Sequence, residues 1–212
     1  MAGFDTRTEG RKSAYVARNR TAIIKAAQEV LASDGSDATV ESVAVLAEMS
    51  VSTIYKHFPK REDLFHTALL SGINEWESWA KGVVSEVTDP IERLLFPMRL
   101  QVKLPETHPT FAKMVAADVA LFVAAAPGAL PGFSENIVKL QRAKLIKSVD
   151  TKARIHNISM VMTMVILGRC SSPPLPEKEA LHLISIALEM IGLTKDQIKH
   201  AWTAPLPDFS VR

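Results

Sequence analysis

The sequence predicts an all-α protein: an N-terminal three-helix domain containing a helix-turn-helix, followed by a larger helical domain. Three observations predict this. Apolar residues recur at three- and four-residue spacing along most of the chain. Helix formers dominate, while aromatics make up only 6% and glycines number 9, a composition that argues against an all-β fold. No pair of alternating apolar and polar segments reads as a strand hairpin.

Residues 1–16 lack periodicity and are expected to form a flexible basic arm. Ile23, Ile24, Ala27, Val30 and Leu31 then mark one face of a helix that Gly35 closes as a C-cap. Thr39 is placed to cap a short helix that turns Val43, Ala44 and Leu46 inward. Ala47 to Ser50 reads as a tight turn. Val51 to Phe58 reads as a second short helix, with Ile54 and Phe58 four apart on its inner face and Pro59 as its breaker. From about Lys60 a longer helix passes through Leu64, Phe65, Ala68 and Leu69 into the mid-eighties. These features divide the chain into an arm (1–16), a three-helix domain (17–61) and a helical remainder (62–212).

In that remainder, Asp89-Pro90-Ile91-Glu92 is a helix start: a capping Asp, then Pro at the first helical position and Glu at the third. This helix should end before Pro105. The next is expected from about Pro109 to Ala126, stopped by Pro127-Gly128. Ser134 can cap one reaching about Ser148. Lys152 to Arg169 is strongly apolar. Ser171 to Pro176 is a Pro-rich break, after which Glu177 to Ile191 forms another helix. Thr194 with Gln197 signals a last short one.

Composition bounds the function. A single cysteine, Cys170, excludes an internal disulfide framework and a Cys-rich zinc site. No apolar stretch follows the basic start as a secretory signal requires. The longest apolar run, Met114 to Ala126, contains Asp118 and is too short to span a bilayer. The expected compartment is the cytoplasm, with no membrane association. Net charge is only +2, but it is unevenly placed. Residues 1–25 carry six basic groups against two acidic ones, whereas residues 62–212 balance at sixteen of each. Such a basic front suits a nucleic-acid partner, and it equally suits a solvated tail. The histidines show no metal-ligand spacing. No phosphate loop, nucleophile elbow or catalytic carboxylate pair is present. Neither a metal, a cofactor nor an enzymatic activity is therefore expected.

Two short helices joined by a turn and preceded by a longer helix can dock on DNA. The second helix enters the major groove when its outward side chains are small or polar and its inward ones apolar. Val51, Ser52, Tyr55 and Lys56 lie away from Ile54 and Phe58. Ser50 can cap this helix at its positive dipole end. Thr39 and Tyr55 can donate hydrogen bonds to phosphate oxygens. The same pattern also suits an ordinary hairpin in a helical bundle. An all-α enzyme and a protein-binding adaptor remain the alternative functions.

The segment from Arg20 to Phe65 resembles the TetR family of bacterial repressors. Arg20 to Ala27, closed by Gly35, is similar to that family's first helix, and Thr39 to Ala44 to its second. Ala47 to Phe58 is similar to its turn and recognition helix, and Pro59 to Phe65 to the opening of its fourth helix. The resemblance implies phosphate contacts at Thr39, Tyr55 and Arg61, and base readers among Val51, Ser52, Thr53, Lys56 and His57. It implies a homodimer on a near-palindromic double-stranded operator, and a C-terminal domain that binds a small ligand and dimerises. Three positions depart from the pattern. Glu48 and Ser52 stand where glycines are usual; a left-handed glutamate would cost roughly 1–2 kcal/mol, so the turn is expected to take another shape. Lys60 stands where a capping Ser or Asn is usual, and it cannot cap.

Beyond residue 70 the resemblance fades. Trp76, Trp79, Phe96, Phe111, Met114, Phe122, Met160 and Met164 can wall a pocket for a small apolar effector, Met being easily repacked. The same side chains suit plain core packing. Asp118, with Arg99 as its candidate partner, and His156 interrupt apolar helices and could give such a ligand polar contacts. The apolar content of 152–169 and 177–191 exceeds what a one-sided surface helix needs and points to the dimer interface.

Overall fold

The computed structural model describes residues 6–125, 130–150 and 152–209. Among these it contains helices and no strand. The first helix, α1 (Thr6–Asp34), leads through a turn of 3-10 helix at Gly35–Asp37 into α2 (Val40–Leu46), α3 (Val51–His57) and α4 (Arg61–Val83). Then follow α5 (Pro90–Val102), α6 (Leu104–Thr107), α7 (Pro109–Ala117), α8 (Val119–Ala125) and α9 (Leu130–Arg142). The chain closes with α10 (Lys152–Cys170), α11 (Glu177–Met190) and α12 (Lys195–Thr203). No helix of the described residues is long and apolar enough to cross a membrane.

Several starts follow the sequence signals. Thr39, Ser50 and Asp89 each accept hydrogen bonds from backbone N–H groups of the first turn that follows. Thr194 and Gln197 close a reciprocal capping box. Lys60 precedes α4 without a side-chain cap, as its chemistry requires.

Four expectations are corrected. Residues 6–16, expected to be irregular, extend α1 upstream; residues 1–5 lie outside the described residues. Between Thr6 and Val16 the chain holds one glycine and no proline, and a docked helix propagates into such a sequence at little cost. Second, the segment from Pro109 is two helices. Asp118 leaves helical geometry (φ −137°, ψ 82°), and its Oδ1 accepts a hydrogen bond from the Leu121 N–H at 2.9 Å, capping α8. The expected stop at Pro127-Gly128 lies outside the described residues. Third, Ser134 sits within α9 rather than before it. Fourth, α9 ends at Arg142 instead of running to Ser148, because Lys144 takes a left-handed conformation (φ 58°). The Leu145 N–H then bonds the Leu140 carbonyl at 3.0 Å and closes the helix end.

The apolar interior forms two clusters. One joins Ile23, Ala27, Ile54, Phe58 and Leu64 to Trp76, Phe96, Phe111, Met114 and Phe122. The other gathers α5, α9, α10, α11 and α12 around Leu95, Ile158, Ile184 and Leu188. The first cluster does not stop at residue 62: α1 packs against both α4 and α7. At the end of α1, Gly35 has φ 61°, and a Cβ there would lie 3.2 Å from the Cβ and the carbonyl oxygen of Ala117. Glycine is thus required twice over, by the left-handed turn and by the approach of α7.

Candidate nucleic-acid interface and interior cavities

α2 and α3 form a helix-turn-helix through a specific helix end. Glu48 takes φ 54°, the Met49 N–H bonds the Ala44 carbonyl at 2.9 Å, and the Glu48 N–H bonds Val45 at 3.2 Å. This is the double closure that usually places glycine at the left-handed position. The expectation of a differently shaped turn is corrected: the turn keeps its shape and Glu48 takes the left-handed conformation.

Helix α3 is anchored by Ile54, fully buried, and Phe58 just after it. Ser52, Tyr55 and Lys56 face outward, Tyr55 with 43% of its surface exposed. Val51, Thr53 and His57 are half-buried. Three hydroxyls converge at the start of α3: Ser50 Oγ lies 3.0 Å from Ser52 Oγ and 2.8 Å from Thr53 Oγ1. Thr39 Oγ1, at the start of α2, lies 2.9 Å from Ser42 Oγ.

Two arginines lock this unit. The Arg61 Nε–H donates to the Ala38 carbonyl at 3.0 Å, and Nη2 donates to Ser36 at 3.0 Å and Ala38 at 2.8 Å. Its Nη1 is the remaining donor. Arg20 lies over the Phe58 ring at 4.1 Å, and its Nη1 donates to the His57 carbonyl at 3.1 Å, tying α1 to the end of α3. Local sequence carries no sign of this role for Arg20, since the partner carbonyl is 37 residues away.

Two cavities open beside α4. The outer one, about 850 Å³, is lined by Trp79, Phe111 and Met114 together with Glu75, His108 and Phe209. Trp79 meets His108 edge-on at 4.6 Å and Phe209 at 5.6 Å. The inner one, about 100 Å³, is lined by Trp76, Phe111 and Phe122 with Gln101, Ser159 and Thr163. Phe111 belongs to both walls. It can lie against α4 because Gly72 has no side chain: a Cβ there would sit 3.0 Å from Phe111 Cδ2. A glycine within an apolar helical segment was the signal available in the sequence for this close approach.

Five of the proposed pocket residues therefore meet a cavity, and six do not. Phe96 is buried in the first core cluster. Arg99 lies over the Phe96 ring at 5.4 Å and donates to the carbonyls of Ala201 at 2.9 Å and Ala204 at 2.7 Å, so it anchors the end of α12 and does not pair with Asp118. Asp118 is spent on its helix cap. His156 is exposed. Met160 and Met164, 51% and 63% exposed, stand on the outer face of α10, because Ile155, Ile158, Met162 and Val165 take the inner one. Among the described residues, no group of three or more His, Cys, Asp or Glu side chains could hold a metal ion.

The fold and this front face define a class: an all-α protein with an N-terminal helix-turn-helix and a helical body with cavities beside α4. Residues 23–68 match the family model described as bacterial regulatory proteins, tetR family. These residues therefore carry the N-terminal domain of the tetR family of bacterial regulatory proteins. No curated protein matches it. Among solved structures it is similar to RolR in complex with the ligand resorcinol (TM-score 0.72, 16% identity, covering 93% of this chain and 100% of that one). It is also similar to a TetR-family transcriptional regulator from Rhodococcus sp. (TM-score 0.65, 19% identity, 84% and 100%). A third likeness is to the fatty acid degradation regulator FadR from Bacillus halodurans (TM-score 0.64, 17% identity, 87% and 98%).

Proposed function

We propose that this protein is a repressor that grips a near-palindromic operator as a homodimer and is released from it by a small, largely apolar molecule. The observation that carries the reading is α3 itself. It is anchored inward by Ile54 and Phe58 and presents Ser52, Tyr55 and Lys56 outward, within a TetR-family N-terminal domain. In this reading Thr39 and Tyr55 meet phosphates and fix the register, while Val51, Ser52, Thr53, Lys56 and His57 stand at the base edges. Arg61 chiefly holds the loop before α2 and keeps Nη1 free to donate to a phosphate.

The dimer reading is supported by an apolar outer face on two neighbouring helices. Met160 and Met164 of α10 and Leu183, Ile186 and Met190 of α11 are all at least 40% exposed. A two-fold axis through this face pairs two recognition helices across one turn of DNA, about 34–36 Å apart. The ligand reading is supported by the two cavities and by RolR, whose structure holds resorcinol. Two helices can carry the signal. α4 runs from Arg61 at the helix-turn-helix to Trp79 at the outer cavity, about 27 Å at 1.5 Å per residue. α7 carries Phe111 between the cavities and ends against Gly35. A ligand that favours one setting of these helices shifts DNA affinity only by its differential affinity for the two states, and operator DNA weakens the ligand equally.

The test is a footprint of the purified protein on the DNA upstream of its own gene. A protected near-palindrome is expected, with protection lost on adding an effector found by thermal-shift screening. Absence of any protected site would overturn the DNA-binding reading. Protection that every cavity ligand leaves intact would overturn release.

A further inference from the structure

We propose that the inner cavity receives a neutral single-ring compound bearing one hydrogen-bond-accepting oxygen, and that the Trp76 indole N–H is the donor that recognises it. The proposal rests on the ligand-released reading above and adds the chemistry of the ligand. Trp76 is 6% exposed and lines this cavity. Its Nε1 is fully buried and has no hydrogen-bond partner among the described residues. A buried indole N–H normally finds an acceptor, because leaving it bare forfeits the bond it makes to water in the unfolded chain. Trp202 shows the normal case here: its Nε1–H donates to Ser185 Oγ at 2.8 Å.

The walls set the rest of the class. Ile73, Leu104, Phe111, Phe122, Met162 and Ile166 supply an apolar lining. Gln101 and Ser159 add an amide and a hydroxyl, while the Thr163 hydroxyl donates to the Ser159 carbonyl at 3.0 Å and keeps its lone pairs for a second partner. The charged lining residue is Glu77, whose Oε2 pairs with Lys81 at 3.4 Å. Among the described residues no Lys or Arg lines the cavity, so an anionic ligand would be desolvated there without a counter-charge. The volume, about 100 Å³, sets the size. An apolar cavity of roughly 150 Å³ accepts benzene, so one ring fits once Met162 yields, as an unbranched thioether can.

The test titrates the full-length protein with toluene, phenol and benzoate by calorimetry, and follows the three tryptophan indole N–H resonances by NMR. Phenol is expected to bind roughly 3- to 10-fold more tightly than toluene, the worth of one neutral hydrogen bond, and benzoate to bind most weakly. One indole resonance should move with phenol and stay with toluene, and that resonance should be missing in Trp76→Phe. In Trp76→Phe the advantage of phenol over toluene should disappear while toluene binding persists. If this variant does not fold, the wild-type affinities decide alone, with the moving indole assigned through Trp79→Phe and Trp202→Phe. Equal affinity for toluene and phenol, tightest binding of benzoate, or movement of the Trp79 or Trp202 indole instead would overturn the assignment. A gel shift keeps the two ideas apart. Phenol that binds through Trp76 but leaves operator affinity unchanged sustains the site and removes inducer release. A footprint that stands while phenol fails to bind removes the site alone.

Discussion

At Glu48 a glutamate occupies a left-handed turn position at φ 54°. An L side chain there costs roughly 1–2 kcal/mol, and part of the gain on substituting glycine is returned as chain entropy. Glu48→Gly is therefore expected to stabilise the protein by about 1 kcal/mol, and a thermal melt without DNA measures it. No rise in the melting temperature would mean that the glutamate gains elsewhere what its backbone loses. Arg61 and Tyr55 make a second, paired case. Three hydrogen bonds from Arg61 hold the Ser36 and Ala38 carbonyls, whereas the Tyr55 ring stands in solvent. Arg61→Ala should cost roughly 1–2 kcal/mol of stability in the DNA-free protein. Tyr55→Phe should leave the melt unchanged and weaken binding evenly across DNA sequences. Equal melts for wild type and Arg61→Ala would return that arginine to a purely phosphate-binding role.

Three helix ends, after α2, α9 and α11, use one closure, with Glu48, Lys144 and Gly192 at the left-handed position. The elements differ in how closely another chain segment approaches. At Gly192 a Cβ would come within 2.5 Å of the Lys147 carbonyl oxygen, so glycine is forced by packing as well as by φ. The α7–α8 break has another cause. Without the Asp118 cap, the first turn of α8 would leave its N–H groups to water. Asp118→Ala is expected to destabilise by about 1 kcal/mol. It should leave cavity ligands bound as before, since Asp118 lines neither cavity. A loss of ligand affinity at unchanged stability would contradict this placement.

For the whole molecule, the outer face of α10 and α11 is an apolar surface that a single chain leaves uncovered. Placing charge there, as in Met164→Glu with Ile186→Glu, is expected to give a folded monomer. That monomer should keep the helical signal of the wild type and lose most of its operator affinity, because each half-site then binds alone. Light scattering and a gel shift check this together. A stable dimer in the double variant would move the interface elsewhere. The helix-turn-helix and the cavity walls share the first core cluster, in which α1 lies against α7 as well as α4.

Local chemistry made much of this protein legible in advance. The caps at Thr39, Ser50, Asp89 and Thr194, the left-handed stop at Gly35 and the inward pair Ile54 and Phe58 depend on residues within one or two turns of each other. Sequence spacing therefore determines them, and with them the helix-turn-helix. The pocket was only half legible. Periodicity shows that a helix has an apolar face but not what that face meets, so Met160 and Met164 suit pocket walls by sequence, whereas α10 turns its other side inward. Asp118 read as a buried ligand group because a cap inside an apolar run resembles an interruption of one long helix. Phe111 against Gly72, Arg61 on Ser36 and Ala38, Arg20 at His57, and the bare Trp76 N–H join positions far apart along the chain or depend on what packs around them. Tertiary structure alone decided these, because long-range packing fixes which side chains meet and which polar groups are left without a partner.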